Sequence, residues 1–309
     1  MIPKIKMINS VYLVDLLLSY TGSFNRQQLM DLTGMSIATA TRTIKKYKEN
    51  NEDNLKYVVE NKRYEITDIF KSNFSIAAED ALTLLAYGQQ RTQTGYLNTI
   101  GPAVVSNENS KLSSDIVPDI TRAIYSKSPI DIEYYGTQSP QEKRTILPLA
   151  IFESRGNWYV RVFDLKDSGY KTFKFIRINS VLGTSVQKLT EIIDDKDWFD
   201  TVTLTLGAHP NHHNPKGLNK DLGLLDKPVF NLTVSKALAG FKLAELAVDA
   251  SPEGTLNPEY FQYRLLNLHE LIEVNSMKIA PGFINSENEK KEINYGTISE
   301  FFEAVTDSV

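Results

Sequence analysis

Apolar residues near the start of the chain recur at the spacing of amphipathic helices. The first stripe, which predicts a helix ending near Tyr20, consists of Ile5, Ile8, Tyr12 and Leu16. Asn25 and Ser36 can each cap the N-terminus of a further helix with a side-chain oxygen. Gly34 lies just before Ser36, where the end of a helix favours a left-handed residue. The pattern therefore predicts three helices, the last two joined by a tight turn.

The third predicted helix separates apolar side chains from polar ones. The apolar line consists of Ile37, Ala40, Ile44 and Tyr47. The opposite side carries hydroxyls and cations, namely Ser36, Thr39, Arg42, Thr43 and Lys46. Short hydroxyl side chains let a helix approach the bases of the major groove, and cations behind them reach base edges or phosphates. We therefore predict that these five residues contact DNA.

A basic hairpin follows the third helix. Strands are predicted over 55–59 and 63–66, and Asn61 between them is expected to take the left-handed conformation of a hairpin turn. Asn61, Lys62 and Arg63 are predicted wing contacts to the DNA backbone or minor groove. Helices, turn and basic hairpin together predict a winged helix-turn-helix domain. For the third helix alone, an ordinary solvated helix with surface bases remains an equal interpretation.

From Ile130 onward the hydrophobic period changes from that of a helix to the alternation of strands. Strands are predicted over 130–135, 144–150, 157–164 and 170–178, and no helical pattern separates them. This spacing predicts a small antiparallel barrel. Before it, 76–91 has a helical pattern that fits a linker or dimer contact, 99–118 reads as a polar loop, and 119–126 predicts a short helix.

Several blocks of this region resemble the WYL-domain transcription regulators. The segment Trp158-Tyr159-Val160 is similar to the family signature, with valine in place of leucine. Lys171 to Ile178 is similar to the family's Arg-x-Phe-Arg-x-x-Arg-Ile block, with lysine at its first two basic positions. Tyr135-Gly136 and Arg144 to Pro148 stand where the family has Tyr-x-Gly and Arg-x-x-x-Pro elements. A leading winged helix is the usual partner of such a domain, so the layout agrees over nearly the whole chain.

The resemblance implies an Sm-like β-barrel with a basic pocket for a nucleic-acid-like or other anionic effector. The predicted effector residues are Tyr159, Arg161, Lys171, Lys174, Arg177 and Arg144. Strand alternation independently places aromatic and basic side chains of neighbouring strands on shared faces, as stacked bases and phosphates require. Lys174 has the opposite parity to Lys171 and would join that face only through a bulge. The other interpretation takes Trp158, Phe173 and Phe175 as core.

The C-terminal part alternates strands with a helix and resembles the C-terminal extension of WYL regulators. Leu204 to Leu224 and Leu265 to Leu271 are most similar to the regulators found beside bacterial phage-defence operons, of the BREX- and CBASS-associated type. In the family this domain supports dimerisation. His209, His212 and His213 invite a metal-site interpretation. Adjacent histidines diverge on a strand or helix and no acid stands between them at ligand spacing, so we expect a loop, no metal and no cofactor.

Charge and composition favour a DNA-binding regulator and exclude several other classes of protein. Residues 1–66 carry ten Lys and Arg against seven Asp and Glu, a net charge of +3, and the rest carries 24 against 31, a net charge of −7. A basic N-terminal region followed by an acidic remainder is typical of a DNA-binding domain joined to a regulatory domain. The absence of cysteine excludes a disulfide scaffold, a thiolate metal site and a cysteine nucleophile. No apolar stretch approaches the length of a membrane span.

The sequence thus predicts an α+β multidomain protein. Its parts are a winged helix-turn-helix domain over 1–70, a helical connector over 71–126, an Sm-like WYL β-barrel over 127–195 and a mixed α/β extension over 196–309. We expect a cytoplasmic, homodimeric repressor of a phage-defence operon that binds an inverted-repeat operator and senses an effector. An activator of the same fold that responds to single-stranded DNA is the alternative. An enzyme is disfavoured, because histidine is scarce and no glycine-rich phosphate loop is present.

Overall fold

The computed structural model describes residues 10–87, 112–137, 140–185, 194–221 and 229–284. The chain forms two compact units, residues 1–191 and 192–309. The finer four-part division stays a prediction. In the described ranges, no helix combines the length and the apolar character needed to cross a membrane.

The first unit begins with a three-helix arrangement and a small sheet. Its elements are α1 (Ser10–Thr21), β1 (Ser23–Phe24), α2 (Arg26–Thr33), α3 (Ile37–Asn50), β2 (Leu55–Val58) and β3 (Arg63–Ile66). The strands pair in the antiparallel order β1-β3-β2. The predicted caps are confirmed: Asn25 accepts the Gln28 N–H at 2.8 Å, Gly34 is left-handed, and Ser36 accepts the Thr39 N–H at 3.3 Å.

Helix α1 is the centre of the first unit's core. Leu13, Val14, Leu16 and Leu18 are each at most 1% exposed, and α3 packs on them with Ala40, Ile44 and Tyr47. A fully buried aliphatic side chain contributes roughly 1.5–3 kcal/mol to folding. Packing of this apolar stripe, more than helix propensity, fixes where α3 lies.

The second part of this unit is a five-stranded antiparallel sheet preceded by two helices. The elements are α4 (Ala78–Tyr87), α5 (Ile116–Ser126), β4 (Ile130–Tyr135), β5 (Gln141–Ser154), β6 (Asn157–Asp164), β7 (Gly169–Lys174) and β8 (Ile178–Thr184). The strand order is β7-β6-β5-β4-β8. Residues 88–91 of the predicted linker helix and 99–111 of the predicted loop lie outside the described residues.

Two expectations about this sheet are corrected. The predicted strand over 170–178 is interrupted by a 3-10 turn at Phe175–Arg177, which separates β7 from β8. Among the described strands β7 and β8 form the two edges, so the sheet is open there and a closed barrel is not found. The predicted break at Pro148 is a register shift between Pro148 and Ala150 within β5, at a residue that has no N–H to donate to the ladder.

The second unit is a mixed α/β fold, as predicted. Its elements are α6 (Lys196–Phe199), β9 (Thr201–Ala208), α7 (Pro215–Asp221), β10 (Phe230–Ser235), α8 (Ala239–Glu245), β11 (Val248–Asp249) and β12 (Tyr263–Leu265). The sheet order is β10-β9-β12-β11, with β11 and β12 parallel. Its core includes Leu204, Leu206, Leu243 and Met277. Residues 222–224 of the family-like segment lie outside the described residues.

Candidate nucleic-acid interface

Helix α3 presents a polar and cationic side to solvent. Ser36, Thr39, Arg42 and Lys46 are exposed, as predicted. The Ser36 and Thr39 hydroxyls lie 3.0 Å apart and form a hydrogen bond at the helix N-terminus. In the part of the chain that the structure describes, neither Arg42 nor Lys46 forms an ion pair. Their charge is therefore available to an external anion.

Two orientations on α3 differ from the prediction. Thr43 is only 5% exposed, whereas Ile37 is 60% exposed. Thr43 belongs to the buried stripe because positions 40, 43, 44 and 47 follow the i, i+3, i+4, i+7 spacing of one helix face. Its predicted outward position is wrong. Ile37, Ala38, Thr41 and Lys45 are exposed on the outer side and were missed.

A buried carboxylate fixes α3 against its neighbours. Asp15 of α1 is fully buried and accepts hydrogen bonds from the Tyr47 hydroxyl at 2.5 Å and the Asn73 backbone N–H at 3.1 Å, and also from the Ser72 hydroxyl. Burial, followed by the bond to Asp15, raises the pKa of the Tyr47 phenol. Sequence reasoning missed this group. An acid inside an otherwise apolar helical stripe is the signal that could have found it.

The wing has a different turn from the one predicted. The left-handed residue is Lys62, with φ of 54°, rather than Asn61. The Asn61 side chain instead bridges the turn: its Oδ1 accepts the Arg63 N–H at 3.1 Å and its Nδ2 donates to Glu65 at 2.7 Å. The Arg63 guanidinium donates to the Ser23 hydroxyl and carbonyl, each at 3.0 Å. Lys62 is exposed, while Arg63 ties β3 to β1.

The predicted effector residues divide between two faces of the second sheet. The register pairs Tyr159 with Lys174 and Val162 with Lys171. Directly paired residues of antiparallel strands project to the same face. Lys174 therefore shares a face with Tyr159, and Lys171 lies on the opposite one. The predicted grouping of Tyr159 with Lys171 is wrong, because counting along each strand ignored how the two strands align.

The face that carries Tyr159, which we call the stacking face, combines aromatic rings with cations. Tyr159 stacks on Phe152 with ring centroids 5.2 Å apart and planes at 15°. Burial raises the pKa of Tyr159, while the charges of Arg177 and Arg155 act to lower it. Lys174 and Arg161 belong to this face, and Arg161 is 7% exposed with its guanidinium 5.7 Å from the Tyr170 ring.

Arg144 and Lys171 belong instead to a network of acids, which we call the paired cluster. The buried Asp164 carboxylate accepts from Lys171 Nζ at 3.1 Å and from Arg144, and Asp167 lies 2.9 Å from Arg144. Glu142 binds Arg144 and Lys166. Hydrogen bonds from Lys171 and then Arg144 hold the pKa of Asp167 well below its ordinary value. The charge of these two cations is already balanced within the fold.

Comparison with known proteins gives two domain matches and several relatives. Residues 7–86 match the BrxR transcriptional regulator winged helix-turn-helix domain, and residues 115–182 match the WYL domain. The DNA-binding transcriptional repressor CapW of Pseudomonas aeruginosa is 27% identical over 268 residues, which cover 84% of this chain and 88% of that protein. CapW of Escherichia coli is 24% identical over 266 residues, with the same shares covered.

A solved structure also aligns with the chain. It is the proteasome accessory factor B/C (PafBC) of Arthrobacter aurescens, 14% identical, with a TM-score of 0.25. The match covers 90% of this chain and 50% of that one, so the chain spans about half its length.

Proposed function

We propose, from the premise that the chain belongs to the WYL-domain transcription regulators with a BrxR-type winged helix-turn-helix domain, that it is a DNA-binding repressor of a phage-defence operon. It is a regulator and not an enzyme. The observation that carries the proposal is the outer side of α3, where Arg42 and Lys46 are exposed on a helix that Asp15 holds in place.

In this proposal α3 enters the major groove and the wing follows the backbone. Ser36 and Thr39 face the groove at the helix N-terminus, and Arg42 and Lys46 supply the cationic contacts. Ile37 adds an exposed apolar side chain, which suits the methyl group of thymine. At the wing, Lys62 contacts phosphate, while Asn61 bridges the turn and Arg63 holds β3 to β1.

The operator in this proposal is an inverted repeat bound by a homodimer in the cytoplasm. Two recognition helices related by a twofold axis would read half-sites about 34–36 Å apart. The relatives named CapW are described as DNA-binding repressors, which supports repression for this chain.

Effector sensing is assigned to the stacking face of the second sheet, which we take to be part of a partly open Sm-like barrel. Phe152 and Tyr159 offer a stacked aromatic surface, Lys174 is paired with Tyr159 in the register, and the charge of Arg177 acts on the Tyr159 hydroxyl. Bases stack on such rings and phosphates bind such cations, so an anionic, nucleic-acid-derived effector fits. Arg144 and Lys171 are structural in this proposal, because acids already hold them.

A mobility-shift titration on DNA from upstream of the protein's own gene tests the repressor proposal. We expect specific binding, a footprint that overlaps the promoter, and release when short oligonucleotides are added. A footprint upstream of the promoter, with transcription rising when single-stranded DNA is added, would instead support the activator of the same fold. No preference for this DNA over a scrambled duplex would refute both.

A further inference from the structure

The loop that follows β9 is held in place by a buried histidine. His209 is fully buried, its backbone N–H donates to the Gln262 carbonyl at 2.8 Å, and its Nε2 lies 3.1 Å from Asp249 Oδ2. Its Nδ1 accepts the Asn211 N–H at 3.2 Å, so the neutral ring carries its proton on Nε2 and donates to Asp249. These bonds fix the loop beside the segment that ends at Gln262.

His212 and His213 lie on the outer side of this loop, and their rings converge. The ring centroids are 4.4 Å apart with planes at 26°. His213 Nδ1 is 3.2 Å from Glu259 Oε1, and one ligand atom from each of the three side chains lies within 4.8 Å of the others. The expected loop is confirmed, since residues 211–214 belong to neither a helix nor a strand, and the divergence expected of adjacent histidines on a regular element does not apply here.

We propose that His212, His213 and Glu259 form a surface site for a divalent transition-metal ion of the zinc class. Two imidazoles and one carboxylate are the protein ligands of open zinc sites, in which water completes the coordination. Imidazole nitrogen selects zinc, cobalt, nickel and copper over magnesium and calcium, which prefer oxygen ligands. His213 is 73% exposed and Glu259 62% exposed, so an ion reaches the site directly.

Both sides of the site are held before any ion arrives. The Glu259 backbone N–H donates to Asn257 Oδ1 at 3.0 Å, which forms a turn just before Gln262. The His209 N–H bond to Gln262 joins that turn to the histidine loop. The ligands thus come from two segments that share a rigid base, which reduces the ordering that coordination requires.

Ion binding requires a local change at each histidine. His213 Nδ1 faces a carboxylate oxygen that only accepts, so it carries the ring proton, and that proton must move to Nε2 if Nδ1 coordinates the ion. The second change is at His212. Its Nδ1 accepts the Asn214 backbone N–H at 3.0 Å, which places the ring proton on Nε2. Coordination through Nδ1 replaces that hydrogen bond, and coordination through Nε2 breaks it by moving the proton. A single neutral hydrogen bond contributes little net free energy beside a metal–ligand set.

Metal titration of the full chain without a histidine tag tests the site. Calorimetry with Zn²⁺ and visible absorption with Co²⁺, at neutral pH, should give one ion per chain with nitrogen and oxygen ligands. His213→Ala should weaken binding by more than about tenfold, since even losses around a ligand cost about 10–100-fold. Glu259→Gln should weaken it in the same direction. The matched control is His269→Ala, which removes an exposed histidine 3.7 Å from Glu270 and should leave binding unchanged.

Several results would overturn the proposal. These are no ion bound by the parent chain, equal affinity in the parent and His213→Ala, loss of binding in His269→Ala, or equal affinity for Mg²⁺ and Zn²⁺. Circular dichroism checks that each variant is folded, as expected for exposed positions. DNA binding is not a readout, so failure of this site and failure of the repressor proposal are distinguishable.

Discussion

The outer side of α3 and the paired cluster of the second sheet are both basic, yet their cations are in opposite situations. Arg42 and Lys46 are exposed and have no acidic partner among the described residues. Arg144 and Lys171 are held by Asp164 and Asp167, and the side chain of Asp164 is fully buried. Drawing such a cation away from a buried acid would leave that acid's charge without its partner, which costs several kcal/mol, roughly 3–5. The comparison shows that availability, rather than the number of basic residues, marks a binding surface.

The cations of the stacking face are intermediate between the exposed cations of α3 and the acid-bound cations of the paired cluster. Lys174 is paired with Tyr159 of the stacked rings, whereas Arg161 on the same face is buried near the Tyr170 ring. We therefore expect three kinds of response when cations are removed: lost DNA binding at α3, lost stability at the paired cluster, and lost effector response at the stacking face.

The largest effect is expected at α3. Arg42→Ala combined with Lys46→Ala should abolish specific DNA binding and leave the fold intact, because each lost base contact costs about 1–3 kcal/mol. A mobility shift on the operator and a circular dichroism spectrum measure the two outcomes. The matched control is Lys216→Ala with Lys220→Ala, an exposed pair at the same helical spacing in the second unit. Unchanged operator binding in the α3 variant would disprove the recognition-helix assignment.

The paired cluster should respond in stability. Asp164→Asn removes a buried charge that accepts from Arg144 and Lys171, and leaving these cations without it should cost about 1–3 kcal/mol of unfolding free energy. Urea unfolding measures the loss. Asp167→Asn is the exposed counterpart and should cost less. An Asp164→Asn protein as stable as the parent would show that the cluster does not hold the sheet together.

The same cluster predicts a dependence on pH. The pKa values of Asp167 and Glu142 are lowered by their hydrogen bonds to Lys171, Lys166 and Arg144. A carboxyl whose pKa is lower in the folded state stabilises the fold above its unfolded pKa, and this contribution is lost as the pH falls through the folded value. Unfolding followed from pH 7 into the acid range should therefore show stability falling below about pH 4, and less steeply in Asp167→Asn.

The stacking face should control the response to effector. Lys174→Ala with Arg177→Ala should retain operator binding but lose the change in affinity caused by short oligonucleotides, a change of about 5–150-fold in typical regulators. Lys171→Ala, on the opposite face, should keep that response. If Lys171→Ala alone abolishes the response, the effector binds the paired cluster and our division of the sheet is wrong.

The smallest effect concerns a methyl group. Ile37 is exposed at the first turn of α3 and should contact a thymine, so replacing that base by uracil should weaken binding about fourfold, the value of one buried methyl or methylene group. In Ile37→Ala the same base change should have no effect. Operator titrations with single thymine-to-uracil replacements measure both. Equal sensitivity in the two proteins would exclude this contact.

Local chemistry explains which parts of the fold the sequence could predict. The helix boundaries follow from Asn25, Gly34 and Ser36, whose caps depend only on residues within four positions. The burial of Thr43 could also have been predicted from the sequence, because the i, i+3, i+4, i+7 spacing of the buried helix face includes it. What failed there was the assumption that a hydroxyl marks the outer side.

The candidate sites depended on information that no local pattern carries. Whether Lys171 or Lys174 faces Tyr159 is fixed by the alignment of two strands, and a shift of one residue reverses the answer. Of the acids that hold Arg144, Glu142 is two positions away, but the buried Asp164 stands twenty positions away. Glu259 reaches His213 from 46 positions away. Motifs could therefore suggest the surfaces but could not tell which charges are available.

The bond between buried Asp15 and Tyr47 of α3 has a consequence for how the DNA specificity of such a repressor evolves. The side chains that hold α3 point inward to one carboxylate and one apolar stripe, and those available to DNA point outward. Substitutions on the outward set leave the anchor untouched, and exposed substitutions usually change stability by no more than about 0.5 kcal/mol. Single substitutions of outward residues can therefore change which operator sequence is preferred. The inward residues that position α3 stay the same.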